Sequence, residues 1–406
     1  MTQDIALVVL DTLRKDHFDE HFDWLPGRRH ENAFSTSHWT VPAHASLFTG
    51  ERPSDVGIHA KNLYYDDSQY TIAQRFDDSI AYTANPNISP HFGATKDFDE
   101  VVGDVRVDAL REDIFNWSRF IANNLNSGPS RYLRAVYECI SQDVDTWESL
   151  KYGLKIKLQD MDSNRRIGQV FLEDIQSREL SDKDFLFMNM MEAHAPYDPP
   201  EEYGAPDCNM EGLKYTFGDP EYPEECREAY DSSVRYLSDV YREVYSQLSE
   251  SFDTVVTISD HGELLGEHGG WEHLYGISPE LTHIPCVVSG DEIPLPDRPI
   301  DLRDIHDAIV GETSGRDALP VEYHGINERN KIGAQNKGVS IPDEMDVPRV
   351  GVANSDGYRY EHVDGTIKGD ESVDERLLEE YAFTVSEGDT SVSESVKSQL
   401  EDLGYA

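Results

Sequence analysis

The sequence predicts an α/β fold with a mostly parallel central sheet, helices on both faces and a small C-terminal antiparallel subdomain. Three short apolar runs, rich in residues that favour strands, predict strands buried on both faces, as in parallel sheets. They span residues 5–10, 185–191 and 254–258. Residues 232–251 carry apolar side chains at helical spacing directly before the third run. Further strands are predicted at 80–83 and 284–288.

The length of 406 residues suits one catalytic domain, predicted over residues 1–344, and a C-terminal unit over 345–406. Residues 104–180 are compatible with helices and are predicted to form a helical insertion beside the site. From residue 345, the segments RVGVAN and GYRYEHVDG flank the turn signal Asp356-Gly357, which indicates antiparallel strands. The acidic, serine-rich stretch from 369 onward is predicted to be a tail that ends in a helix.

Acidic residues dominate the charge balance, with 79 Asp and Glu against 35 Lys and Arg and a net charge of -44. This excess argues against nucleic-acid binding and against docking on an anionic membrane, since both need a basic surface. It is spread along the whole chain, which is typical of a halophilic protein in a salt-rich cytosol, where salt screens the repulsion. An ordinary acidic protein is the alternative.

The only apolar run before Asp11 is too short for a signal peptide or a membrane span, and no later run is long enough, so a cytoplasmic location is expected. The cysteines are scattered without a CxxC pattern. They are expected to be reduced and without a role in the chemistry. They are Cys139, Cys208, Cys226 and Cys286.

Polar side chains follow the predicted strands. Asp11 follows the first run, His194 lies just beyond the second, and Asp260 with His261 follows the third. Ligand sites of open α/β sheets lie outside the carboxyl ends of the strands, so these residues are expected to share one site. Two carboxylates and an imidazole suit one divalent cation, Ca, Mg or Mn. The alternative is that each residue caps a helix or satisfies a local hydrogen bond.

Thr40 lies in the segment STSHWTVPAHASLFTG, directly before a helix predicted to begin at Pro42 and to end at Gly50. The start of a helix favours anions, so a phosphate or sulfate oxygen could be held beside the threonine hydroxyl. Thr40 is therefore a candidate nucleophile that also contacts the metal. The alternative is a simple N-cap.

The glycine-rich loop at 259–276 concentrates histidines and glutamates. His273, together with His194, is a candidate for binding substrate oxygens or protonating the leaving group, because histidine can act as an acid near neutral pH. His268 is expected to be structural.

Several segments occur in the order found in the sulfatase family, and the chain resembles that family outside residues 104–180 and the tail. They are VVLDTLRKDHF, TVPAHASLFTG, GIHAKN, NPNISPHFG, EAHAPYDPP, SDHGELLGEHGGW and HIPCVVSG. The resemblance implies an alkaline-phosphatase-like fold, one divalent cation and a covalent intermediate on the nucleophile. It matches Asp11, Asp260 and His261 to metal ligands, Thr40 to the nucleophile, and His194 to a histidine that contacts substrate.

The sequence departs from the family at the nucleophile. Sulfatases usually carry Cys-x-Pro-x-Arg, whose cysteine or serine becomes formylglycine, whereas this chain has Thr40-Val-Pro-Ala-His44. His44 is thus a further candidate for substrate binding, and His273 stands where many sulfatases have a lysine. A threonine sulfate would require water to attack sulfur, whereas a phosphothreonine is more readily cleaved, so phosphate esters are favoured. Many sulfatases also have a second aspartate where this chain has Thr12.

The predicted activity is metal-dependent hydrolysis of sulfate or phosphate esters through Thr40, on a small anionic ester or a sulfated or phosphorylated glycan. Three alternatives remain. One is a transferase that moves a phospho-alcohol onto a glycan. Another is a two-metal phosphodiesterase with a second metal at His194, Asp198 and His273. The third is a homologue that binds a ligand without turnover.

Overall fold

The computed structural model describes residues 3–103, 114–115, 117, 120, 130–141, 144–161, 166–208, 221–336 and 338–385. Its strands are β1 (Ile5–Leu10), β2 (Arg28–Arg29), β3 (Ala33–Phe34), β4 (Ser79–Thr83), β5 (Glu100–Gly103), β6 (Phe185–Met190), β7 (Thr254–Ile258), β8 (Leu264–Leu265), β9 (Trp271–Glu272), β10 (His283–Ile284), β11 (Cys286–Gly290), β12 (Ile300–Asp301), β13 (Leu319–Tyr323), β14 (Arg349–Asn354), β15 (Gly357–Glu361) and β16 (Ile367–Gly369). Its α-helices are α1 (Lys15–His21), α2 (Thr40–Thr49), α3 (Pro53–Val56), α4 (Ser130–Ser141), α5 (Thr146–Met161), α6 (Ile167–Ser177), α7 (Pro223–Ser251), α8 (Pro279–Thr282), α9 (Leu302–Ile309), α10 (Glu328–Asn336) and α11 (Arg376–Glu380).

The central sheet has seven strands in the order β2-β11-β7-β1-β6-β4-β5. The five strands from β7 to β5 are parallel, and β11 pairs antiparallel with β7 and with β2. β1 lies between β6 and β7, so the carboxyl ends of these three strands meet at one edge of the sheet. This confirms the mostly parallel sheet and places the predicted polar residues together.

The alternating side chains of β1 divide between two hydrophobic cores. Ile5, Leu7 and Val9 pack with α2 and α9 on one face. The residues between them pack with α1, α6 and α7 on the other face. Every residue of β1 is buried, because helices cover both faces of the sheet.

Some predicted elements have different bounds in the structure. The predicted strand at 284–288 is divided into β10 and β11 at Pro285, which offers no backbone N–H. Helix α7 begins at Pro223, well before the predicted stretch 232–251, and Pro occupies its first turn. The described parts of the predicted insertion are helical in α4, α5 and α6. The rest of residues 104–180 lies outside the described residues.

A smaller antiparallel sheet of four strands, β13-β14-β15-β16, lies in the C-terminal part of the chain. The turn at Asp356-Gly357 joins β14 to β15, as predicted. β13 precedes residue 345 and pairs with β14, so the sheet extends across the proposed domain boundary. The division into 1–344 and 345–406 stays a proposal. The predicted helix at the end of the tail lies outside the described residues.

The expectation that all cysteines are reduced is wrong, because Cys208 and Cys226 form a disulfide bond. Their separation of 18 residues matches no recognisable motif. The fold places Cys226, near the start of α7, beside Cys208. Cys139 and Cys286 are free and buried. Among the described residues, no helix is both long enough and apolar enough to cross a membrane.

Candidate active site

Three predicted metal ligands converge at the carboxyl edge of the sheet. Asp11 follows β1, and Asp260 with His261 follows β7, and all three are fully buried. Each offers one ligand atom within 4.8 Å of the others. His261 Nε2 lies 3.4 Å from Asp260 Oδ2 and 3.8 Å from Asp11 Oδ1. The structure thus brings these three residues together as the sequence predicts.

The atoms that face each other in this group are all acceptors. Asp11 Oδ1 and Asp260 Oδ2 have no hydrogen-bond partner among the described residues. His261 Nδ1 donates to the Gly262 carbonyl at 2.9 Å, so the lone pair of the neutral ring is on Nε2. Two carboxylate oxygens and a nitrogen lone pair in a buried space repel each other unless a cation lies between them. The group therefore fits a divalent cation.

The protonation of the two carboxylates reflects this crowding. Burial and the nearby Asp11 raise the pKa of Asp260 well above its ordinary value. Burial also tends to raise the pKa of Asp11, but His194, His261 and amide hydrogen bonds outweigh it and lower that pKa. Burial lowers the pKa of His261 well below its ordinary value, so its ring is neutral and able to bind a cation.

The backbone fixes one oxygen of Asp260. Its Oδ1 accepts hydrogen bonds from the N–H groups of Thr12 at 3.3 Å and His261 at 3.0 Å. Thr12 has a φ of 60°, which a β-branched residue rarely adopts. The strained backbone directs the Thr12 N–H toward Asp260 and leaves Oδ2 for the cation.

Thr40 is the first residue of α2, two residues before the predicted start at Pro42, and only 2% of it is exposed. Trp39 occupies the N-cap position, and no side chain caps this helix. The Thr40 hydroxyl Oγ1 lies 3.4 Å from His261 Nε2. The hydroxyl faces the metal ligands instead of capping the helix, which argues against the simple N-cap.

Two asparagines that the sequence analysis missed complete the group. Asn85, just beyond β4, donates from Nδ2 to Asp11 Oδ2 at 2.9 Å and to Thr40 Oγ1 at 3.2 Å. Asn189 donates to Asp11 Oδ2 at 3.0 Å. The signal for Asn189 was a polar residue inside the buried run FLFMNM of β6. The signal for Asn85 was its place after a strand that was itself predicted.

His273 and His194 lie beside the metal ligands. The ring centroid of His273 is 4.6 Å from that of His261 and 5.1 Å from that of His194. His273 Nδ1 lies 2.9 Å from Oε1 of the buried Glu263. Burial alone would lower the pKa of His273, but the Glu263 carboxylate outweighs burial and raises it. Burial and His273 lower the pKa of His194, whose Nδ1 donates to the Ala195 carbonyl at 2.6 Å.

Three other candidates occupy different positions. His44 lies below Thr40 against Phe48 and Phe187, with Nδ1 3.0 Å from the Thr40 carbonyl and 3.6 Å from Asp260 Oδ2. Burial lowers the pKa of His44 to about 4, and this position suits support of Asp260 more than contact with substrate. His268 is exposed. Asp198 pairs with Arg166 at 3.0 Å instead of joining a second metal group.

Comparison with known proteins gives one family and several related folds. The sulfatase family model matches residues 24–311. A phosphonate monoester hydrolase from Silicibacter pomeroyi has a similar structure, with a TM-score of 0.56, 14% identity, and coverage of 91% of this chain and 89% of that one. A 2-O GAG sulfatase has a TM-score of 0.54, 11% identity, and coverage of 91% and 85%. At these identities, the likeness shows the fold alone.

A curated relative is the low-salt glycan biosynthesis sulfotransferase Agl7 from Haloferax volcanii, which is 30% identical over 176 residues. The match covers 41% of this chain and 40% of the relative.

Proposed function

We propose that this chain, which belongs to the sulfatase family, hydrolyses phosphate or sulfate esters through a covalent intermediate on Thr40. The family and the fold indicate an enzyme that acts on such esters. The main support for Thr40 as the nucleophile is the position of its hydroxyl, which lies 3.4 Å from His261 Nε2 and 3.2 Å from Asn85 Nδ2. A hydroxyl held against metal ligands at a helix start is placed to react with an anionic ester.

We assign Asp11, Asp260 and His261 to one divalent cation, Ca, Mg or Mn, on the basis of their facing lone pairs. Such a cation would supply positive charge beside the Thr40 oxygen and the oxygens of the transferred group. The Asn85 amide orients both Asp11 and Thr40 through its two hydrogen bonds.

Thr40 begins the cycle as the alkoxide, its proton having passed to solvent, a loss that a cation beside the oxygen would favour. In the first step, Thr40 Oγ1 bonds to phosphorus or sulfur while the bond to the alcohol oxygen breaks. His273 is the proposed proton donor to that oxygen, because the Glu263 carboxylate beside it favours its protonated form. Water then attacks phosphorus or sulfur and releases Thr40, with His273 now accepting the proton. His194, whose pKa is lowered, is proposed to bind the ester oxygens instead.

Phosphate esters are the favoured substrates on chemical grounds, because a threonine ester of phosphate is cleaved by water more readily than one of sulfate. A second candidate is transfer of the group to a glycan hydroxyl. The 30% identity to a glycan biosynthesis sulfotransferase supports it. In both cases, the proposed substrate is a small anionic ester or a sulfated or phosphorylated glycan. In the transfer reaction, the acceptor is a glycan.

The test is hydrolysis of paired aryl sulfate, phosphate monoester and phosphodiester substrates in high salt with added divalent cations. Thr40→Ala is expected to lower turnover by about 10⁴-fold or more, since removing a nucleophile leaves only binding effects. Thr49→Ala is the matched control at the other end of α2, where the hydroxyl donates to the Ala45 carbonyl and accepts from the Glu51 N–H. Unchanged turnover in Thr40→Ala would overturn the proposal. A product that appears only with a glycan acceptor would identify the transferase.

A salt-rich cytoplasm is the proposed location, because the net charge of -44 requires screening. Cell fractionation is the test of this location. Recovery of the protein outside the cytoplasm, in an oxidising compartment where disulfide bonds such as Cys208–Cys226 persist, would contradict it.

A further inference from the structure

Arg329, in α10, is a buried guanidinium without an acidic partner among the residues that the structure describes. It is 6% exposed, and its one hydrogen bond to the described residues runs from Nη2 to Asn87 Oδ1 at 2.9 Å. In the described part of the chain, its Nε and Nη1 atoms have no hydrogen-bond partner. The guanidinium carbon lies 5.3 Å from the centre of the Phe92 ring. Most of its N–H groups therefore lack an acceptor among the described residues.

Other arginines of similar burial have carboxylate partners. Arg303, also 6% exposed, donates from Nε to Asp301 Oδ2 at 3.0 Å. Arg14, 8% exposed, contacts Asp16 and Glu267. Burial lowers the pKa of Arg329 to about 10, so the group is still a cation at neutral pH.

Hydrogen bonds connect this cation to the nucleophile. The Asn87 N–H donates to Asn85 Oδ1 at 2.9 Å, and Asn85 Nδ2 donates to Thr40 Oγ1 at 3.2 Å. The segment from Asn85 to Asn87 therefore separates Arg329 from Thr40. Three hydrogen bonds through this segment thus link the guanidinium to the candidate nucleophile. Thr40 and Arg329 are both buried, with 2% and 6% of their surface exposed.

We propose that Arg329 and Asn87 form a subsite for a second oxyanion, carried on the alcohol part of the ester substrate. The planar guanidinium can bind two oxygens of one carboxylate, sulfate or phosphate group at once. An acidic or doubly esterified sugar has this chemistry. The inference rests on the proposed function, because it assumes that the ester group lies at Thr40.

The experiment measures the binding of phenyl phosphate and 3-carboxyphenyl phosphate to the Thr40→Ala protein in fixed high salt with a divalent cation. The carboxylated ester is expected to bind about tenfold more tightly or better, a preference typical of one charge-assisted pair. Adding Arg329→Gln is expected to remove this preference, and Arg329→Lys to restore part of it. Arg303→Gln is the matched control and is expected to keep the preference. Unfolding curves verify that each variant is folded.

Equal affinity of the two esters for the Thr40→Ala protein overturns the subsite, and so does a preference that survives Arg329→Gln. Both outcomes are independent of turnover. Hydrolysis by the native chain is measured separately with the same esters. A preference that depends on Arg329, without any turnover by the native chain, would support the subsite and reject the proposed hydrolysis.

Discussion

Two pairs of buried aspartates in this chain have opposite surroundings. Asp301 and Asp304, at the start of α9, are 0% and 1% exposed, and arginines surround them. Arg298 donates to both oxygens of Asp304, at 2.8 and 3.0 Å. Asp11 and Asp260 are equally buried, yet asparagine amides, backbone N–H groups and neutral histidine are their partners.

The difference distinguishes carboxylates that are neutralised within the fold from the carboxylates proposed to bind a cation. Carboxylates that have their own arginines are neutralised within the fold, and Asp301 also caps α9 by accepting from the Arg303 and Asp304 N–H groups. Asp11 and Asp260 each keep one oxygen without a hydrogen bond within the described residues. A buried pair of aspartates without an arginine or lysine partner is therefore a position where a cation from solution fits.

The largest expected difference between the two pairs is in turnover. Asp260→Asn is expected to lower kcat by at least about a thousand-fold, or ~4 kcal/mol, because one cation ligand is lost. Asp304→Asn is expected to keep kcat per folded molecule. Ester hydrolysis with active-site titration measures both, and a similar loss in the two variants would break the comparison.

The stability of the metal-free protein is expected to change in the opposite order. Asp304→Asn leaves Arg298 and Arg316 partly unpaired and is expected to lower the free energy of unfolding by about 3–5 kcal/mol. Asp260→Asn removes a carboxylate repelled by Asp11 and is expected to cost less than ~1 kcal/mol. Denaturant unfolding in the presence of a chelator tests both, and a larger cost in Asp260→Asn would contradict the assignment.

Added divalent cation should stabilise the native protein and Asp304→Asn, but it should stabilise Asp260→Asn much less. At a cation concentration about a hundredfold above Kd, binding is expected to stabilise the native protein by roughly 2.7 kcal/mol. Asp304→Asn should retain this gain, whereas Asp260→Asn should lose most of it. Thermal unfolding with and without chelator provides the measurement, and equal gains in both variants would place the metal elsewhere.

The amides around Asp11 should have smaller effects. Asn85→Ala removes hydrogen bonds to both Asp11 and Thr40 and is expected to reduce kcat/KM by about 10–100-fold, as for other partners of metal ligands. Asn189→Ala removes only a hydrogen bond to Asp11 and is expected to cost less. The reverse order in steady-state kinetics would mean that Asn85 does not orient the nucleophile.

The sequence predicted the central sheet and the convergence of four candidate site residues because strand ends and helix starts are easy to recognise. Asp11, Asp260 and His261 directly follow apolar runs, and Thr40 lies at the start of a helix whose C-terminal Gly50 was also recognised. The resemblance to sulfatases joined these positions into one site. The sheet order then brought them to one edge, as parallel strands require.

The contacts that depend on long-range packing could not be predicted. Asn189 is one polar residue in an apolar strand, and only the pairing of β1 with β6 places it beside Asp11. His44 stands where the sulfatase motif has an arginine, and this position suggested contact with substrate. In the structure, the direction of α2 points its ring toward Asp260. Cys208 and Cys226 are 18 residues apart, and this spacing alone does not predict that they pair.

The position of β1 has a consequence for the order of events during synthesis. Asp11 is made early, but its contacts with Asn189 and the Thr12 contact with Asp260 span 178 and 248 residues. The ribosome must therefore release β7 and His261 before the three cation ligands can meet. A cation bound by these three residues would therefore bind only after the sheet has closed, and it would stabilise the finished protein without helping the nascent chain to fold.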